Sequence, residues 1–402
     1  MARTGNASGR VLLTDAHWNK SVAAIRSLGR KGLEVTAGES SLLAAGLFSR
    51  YAARRIRYPA PAARPEAFLQ AVVHELKQRP YDLLLPMELG TMLLLSRNRH
   101  RFQSLCRFPF APDEVLRAAA SKASTVRRAD ELGLPVPRTR LLHQGTEWEA
   151  EALLEDPGLP LVLKPDLSEG GRGLCLCRSR SELEAALGSA SRAGQDYLAQ
   201  ERIPSGGDAL GVSLLLGGDG ELLAGFTHRR LREYPVGGGP STLRESFSHP
   251  QAEGHAQQLL RGLDFSGAAM VEFKVDPRDG LAKLMEINPR FWGSLPLAIA
   301  SGVDFPYLLY RTAMGCAKEV GFAARPGQRL RNILPGELLH LVAMRGRVSR
   351  DFWSWRHARD ELLSLHDPGP VLGRLLSPLA LLFDPQLRAV MRPRADLARD
   401  RK

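Results

Sequence analysis

The sequence predicts a mixed fold, an α/β unit followed by an α+β unit, and three observations lead there. Over the first hundred or so residues short apolar runs alternate with amphipathic stretches, as in a parallel sheet with crossover helices. From about residue 160 to 290 the apolar runs come in pairs separated by Gly- and Pro-containing turns, the pattern of antiparallel hairpins. Beyond Pro306 the pattern becomes helical. The chain therefore divides into 1–110, an N-terminal Rossmann-like α/β domain, 111–320, a central α+β domain, and 321–402, a helical, basic C-terminal extension.

In the first unit residues 11–15 form a short buried strand, Asn19–Arg30 an amphipathic helix and residues 33–37 a second strand. A helix over 66–79, a strand over 82–86 and a helix near Thr91 complete it. Such sheets bind ligands at strand C-termini, but no Gly-x-Gly-x-x-Gly follows the first strand, which disfavours a dinucleotide. Two helices over 112–132 lead to Gly133-Leu134-Pro135-Val136-Pro137, where glycine ends the helix and the prolines impose extended backbone. Beyond this come a strand over 161–165, its return over 174–177, a helix over 182–190 and, within the antiparallel lobe, a helix over 251–263.

The chemistry concentrates in the hairpin of residues 270–276 and 283–290. Side chains alternate along a strand, so Glu286 and Asn288 share a face, and a hairpin that brings Glu272 alongside gathers three oxygen donors. Magnesium or manganese prefers such hard oxygens and keeps open positions for phosphate oxygens. Lys164 interrupts an apolar strand, and an ammonium in such a place wants an anion. Pro165 ends that strand before Ser168-Glu169-Gly170-Gly171-Arg172-Gly173, a turn whose glycines let backbone N–H groups close on phosphate. No Walker A string occurs. Between these pieces Gln200, Glu201 and the backbone at Ile203 are candidate partners for a purine edge, and Asp208 for ribose hydroxyls.

Taken in order, Lys122, Lys164-Pro165, Gly170-Gly171-Arg172-Gly173, Gln200-Glu201, Asp208, Glu272 and Glu286-Ile287-Asn288-Pro289-Arg290 resemble the ATP-grasp superfamily over about residues 120–315. The run Phe291-Trp292-Gly293-Ser294 onward to Pro306 is similar to the subgroup of carbamoyl-phosphate synthase large chains and carboxylate–amine ligases. The resemblance implies an ATP-grasp fold, with Lys122 and Lys164 on the nucleotide phosphates, Glu201 and its neighbours on adenine and Asp208 on ribose. It likewise implies magnesium on Glu272, Glu286 and Asn288, and Arg290 steadying an acyl phosphate or the substrate carboxylate. The implied activity is ATP-dependent joining of a small carboxylate to an amine; the alternatives are a bicarbonate-using carboxylase or carbamoyl-phosphate-type enzyme, and a non-catalytic ATP-binding regulator. Three departures stand out: Ser121 where many relatives carry Asp, Asp208 where Glu is usual, and Met270 where several amino-acid ligases have Arg.

Residues 226–242 read as a basic strand running into Gly237-Gly238-Gly239, suited to a flap that closes over substrate. His228, Arg230 and Arg232 alternate along it, with His228 a candidate base and Arg230 a candidate anion contact. Composition, at 44% hydrophobic and 24% charged, is that of an ordinary globular enzyme. No signal peptide is evident, and cytoplasm is the expected compartment. Cys106, Cys175, Cys177 and Cys316 lack metal or redox spacing. The net charge of +12 invites a nucleic-acid reading, but no recognition motif accompanies it. From Arg325 onward 15 Lys/Arg face 8 Asp/Glu, and core packing or a membrane-surface contact are the two readings of that segment.

Overall fold

The computed structural model describes residues 9–168, 173–235, 239–316, 319–322, 324–348, 350–353 and 358–383. Four parallel strands, β1 (Arg10–Leu13), β2 (Glu34–Glu39), β3 (Ala52–Arg57) and β4 (Leu83–Leu85), form the first sheet in the order β3-β2-β1-β4. β1 and β4 are apolar because helices cover both faces, whereas β3, Ala-Ala-Arg-Arg-Ile-Arg, escaped the sequence reading because its arginines mark a charged edge strand. The helix Asn19–Arg30 buries Val22, Ala24, Ile25 and Leu28.

A second, antiparallel sheet contains β5 (Thr139–Leu142), β6 (Leu161–Pro165), β7 (Cys175–Cys177) and β8 (Tyr197–Glu201) in the order β5-β8-β6-β7. The helix Arg180–Ser191 packs beneath it, capped by the Ser179 hydroxyl, which accepts from the Glu182 N–H.

The third sheet has seven strands: β9 (Ala209–Leu216), β10 (Leu222–Glu233), β11 (Ser241–Phe247), β12 (Gly267–Val275), β13 (Ala282–Asn288), β14 (Arg329–Arg331) and β15 (Arg359–Asp360), ordered β13-β12-β9-β10-β11-β14-β15. One continuous core joins it to the first sheet, from Val11, Ile25 and Leu85 to Val212, Phe226 and Val271. The segment beyond residue 321 is thus not helical throughout: β14 and β15 extend this sheet. Its later part is tied to the N-terminal unit by the buried Asp367, which accepts from Arg26 Nε at 2.8 Å, Ser49 Oγ at 2.8 Å and the Arg50 N–H at 2.8 Å. No helix among the described residues is long and apolar enough to cross a membrane.

Candidate functional site

A cavity of about 920 Å³ lies where the three sheets meet. Its floor is a row across the large sheet, in which Glu286 of β13 is the register partner of Glu272 on β12, Glu272 of Gly211 on β9, and Gly211 of His228 on β10. The register slips between Glu272 and Phe273, leaving Met285 as the extra residue of a bulge, and its freed carbonyl accepts from Lys164 Nζ at 3.4 Å. Asn288 Nδ2 donates to Glu272 at 3.2 Å and reaches Glu286 at 3.5 Å. The three expected oxygen-bearing side chains therefore converge. Gly211 keeps the row open, because a Cβ there would collide with the His228 ring and lie 3.0 Å from Met270 Sδ.

The ammonium groups lie at the same end. Lys122 opens the helix Lys122–Glu131, and its Nζ donates to Ser168 O at 2.9 Å and Asp166 O at 3.2 Å, 3.7 Å from Glu286. Ser121 caps that helix and donates to Asp166 Oδ1 at 3.0 Å, so Asp166 supplies the carboxylate absent from position 121. Lys164 donates to Gln200 Oε1 at 2.8 Å, the two residues lying diagonally on β6 and β8. Burial draws the Lys164 ammonium down to about 8, helped by Lys122 and opposed by Glu286 and Glu272. A desolvated ammonium of that kind is poised for an anion.

Arg230 pairs with Glu272, whose carboxyl is raised by burial against that partner's pull. Arg290, 8% exposed, donates to the Phe291 carbonyl at 2.8 Å and lines the cavity with His228, Arg230 and Arg232. His228 is fully enclosed, stacked on Phe226 and 3.5 Å from Ser294 Oγ, and burial followed by Arg230 and Arg244 lowers it to about 3. So low a basicity weighs against His228 as the proton acceptor expected from the sequence, although its ring lies on the cavity lining.

The purine-side candidates divide. Asp208 lines the cavity, 3.6 Å from Arg229, as do Arg202 and residues 205–207. Gln200, Glu201 and Ile203 do not line it. The Glu201 carboxylate is taken up by the Arg138 N–H at 3.1 Å and Arg278 at 3.1 Å, and the Ile203 carbonyl accepts from Lys274 at 3.0 Å. Gly170 and Gly171 lie outside the described residues. Gly173 adopts φ +71° with Pro165 packed where a side chain would sit.

Sequence reasoning missed Lys20, Glu88, Arg244, Glu361 and Arg374, all of which line the cavity. Arg244 alternates with Thr242 on β11, a signal that was readable; Glu361 and Arg374 arrive from a remote segment with no local pattern.

Residues 216–334 match the family model described as "ATP-grasp in the biosynthetic pathway with Ter operon". A D-alanine–D-alanine ligase of Ralstonia pickettii (strain 12J) is 36% identical over 115 residues, 28% of this chain and 33% of that ligase. The chain thus spans about a third of that relative's length. Two solved structures are similar in fold, each at 17% identity. The biotin carboxylase domain of Hydrogenobacter thermophilus 2-oxoglutarate carboxylase, with MgADP, ADP and bicarbonate, has a TM-score of 0.64 over 81% of this chain and 74% of that one. An L-amino acid ligase from Bacillus licheniformis has a TM-score of 0.60 over 81% and 79%.

Proposed function

We propose that this chain, a member of the ATP-grasp superfamily, uses ATP to activate a small carboxylate as an acyl phosphate and joins it to an amine, releasing ADP and phosphate. The observation that carries the reading is the pair of buried ammonium groups, Lys122 and Lys164, facing the register-paired Glu272 and Glu286 across one cavity. The donor set fits a magnesium or manganese ion: two carboxylates stand side by side with Arg230, Lys122 and the Asn288 amide among their partners, and Asn288 can present its oxygen instead. Such an ion, when bound, neutralises charge spreading over the phosphate oxygens.

In this reading Lys122 and Lys164 hold the nucleotide phosphates, joined by backbone N–H groups of the loop with Gly170, Gly171 and Gly173. Asp208 takes the ribose, and the segment from Gln200 and Glu201 to Ile203 shapes the adenine edge. A substrate carboxylate oxygen attacks the γ-phosphorus, the bond to the β,γ-bridging oxygen breaks, and ADP leaves. Arg290 and Arg230 face the resulting acyl phosphate. The amine nitrogen then attacks the acyl carbon, phosphate leaves with the C–O electron pair, and the proton lost from the nitrogen passes to the departing phosphate. With His228 held neutral, desolvation of the amine is the route to its uncharged form. We place the enzyme in the cytoplasm; none of its four cysteines forms a disulfide.

An ADP-release screen of carboxylates against amines, with mass detection of the product, tests the reading. A carboxylate–amine pair that releases ADP and yields the amide supports it. ADP release that depends on bicarbonate alone would instead favour the carboxylase reading suggested by the bicarbonate-containing structure.

A further inference from the structure

The cavity continues past the carboxylate hairpin to a wall built by Thr242 and Arg244 of β11, Trp292, and Glu361 and Arg374 of the C-terminal segment. Arg244 donates to Gly293 O at 2.8 Å and pairs with Glu361, which also accepts from Asn19 Nδ2 at 2.7 Å. Arg374 donates to His17 O at 2.9 Å and Asn19 Oδ1 at 2.5 Å, and Lys20 pairs with Glu88 at 2.5 Å. Among the described residues of this wall, Arg244, Arg374 and Lys20 therefore face the Glu361 and Glu88 carboxylates; Arg232, nearby, is matched by Glu337 at 3.1 Å. The excess sits in buried surroundings, where burial pulls the Arg374 guanidinium down to about 10.

Four buried polar atoms of this wall, Trp292 Nε1, Thr242 Oγ1, Arg244 Nε and Arg374 Nε, have no hydrogen-bond partner among the described residues. Trp292 is 1% and Thr242 3% exposed. A buried donor left without a partner costs about 1–3 kcal/mol, so several lining one cavity ask for a ligand with acceptor oxygens.

We propose that this end of the cavity is the subsite for an oxyanion, a carboxylate or a phosphate group, carried by the second substrate, and that Arg374 together with Arg244 binds it. The inference rests on the ligase reading above and specifies its amine: the acceptor brings its own negative charge. Glu361 holds Arg244 in place and serves as a positioning residue.

The test uses the full chain and offers the acceptor in three forms: an amino acid, the matching neutral amine and an amine bearing a phosphate. The expected result is a kcat/KM for one anionic form about 10²-fold above that for the neutral form. Arg374→Gln should erase the preference by raising the acceptor KM while the KM for ATP holds. Thr242→Val, which removes a single hydroxyl and keeps the C-terminal segment docked, should weaken the anionic form alone. Whichever anionic form wins identifies the group. Equal rates for charged and neutral forms, or equal losses for both in Arg374→Gln, overturn the proposal. If no pair releases ADP, the ligase reading falls. Calorimetric titration with the amino acid and with the phosphate-bearing amine then decides the subsite: saturable binding weakened in Arg374→Gln upholds it, and no binding of either overturns it.

Discussion

At one end of the cavity Glu272, Glu286 and Asn288 come from two strands joined by the turn 276–281, whereas at the other the paired Arg244 and Glu361 lie 117 residues apart in the chain. The first end is set by the pairing of neighbouring strands, and a slip of register would disperse it. The second exists only when the C-terminal segment lies against the N-terminal unit. Local hydrogen bonding thus holds the reactive centre, and long-range docking holds the substrate wall.

The sharpest way to break this contrast is at the hairpin end. Glu286→Gln and Lys164→Met should each lower ADP release by about 10³-fold or more, with thermal melting close to that of the parent. Full activity in either would remove the assignment. Next in size is the docking contact. Asp367→Ala leaves Arg26 buried beside an empty site and should cost about 3 kcal/mol in a denaturant titration. It should also raise the acceptor KM more than the KM for ATP; equal increases would mean that the two ends are not built independently.

Gly211→Ala tests the floor shared by both ends. The added methyl would meet the His228 ring, and overpacking of that kind costs about 1–3 kcal/mol, read by chemical denaturation. An unchanged midpoint would show that the row tolerates filling.

The smallest effect is a pH dependence outside the cavity. Burial, followed by the Glu88 charge, raises Asp15 from 3.8 to about 6, against hydrogen bonds from Thr91, Thr14 and the Met87 N–H. Burial and Asp15 together raise Glu39 to about 7. The native state therefore binds more protons than the unfolded chain between about pH 4 and 7, and this contribution to stability is present at low pH and lost as pH rises through that window. His17, lowered to about 3, acts in the opposite sense, losing stability as pH falls below 6.5. Asp15→Asn should flatten the parent's decline by roughly 2 kcal/mol between pH 5 and 8, measured as the difference between the two melting curves. Parallel curves would contradict the raised carboxyl.

The contrast also explains what could be read from the chain. The Glu272–Asn288 hairpin was legible because strand alternation and a short turn settle which side chains meet. Lys164 was legible because an ammonium in an apolar strand is conspicuous, whereas Lys122 stood out only through the family resemblance. The engagement of the Glu201 side chain was not legible, since its carboxylate serves an ion cluster with Arg138, Arg278 and Lys283 that no local pattern announces. Glu361 and Arg374 were illegible for a plainer reason. Their neighbours in space are Asn19, Arg244 and His17, and sequence distance carries no trace of that.

The parallel bridge between β14 and β15 places Glu361 immediately after the last strand, and the helix Gly369–Phe383 then delivers Arg374. Arg374, which binds the oxyanion, and Glu361, which positions Arg244, ride on one stretch of chain whose described residues contribute nothing to the carboxylate hairpin. Exchange of that stretch between related proteins would act as a cassette swap, retargeting the enzyme to a new acceptor while its energy-coupling chemistry is inherited unaltered.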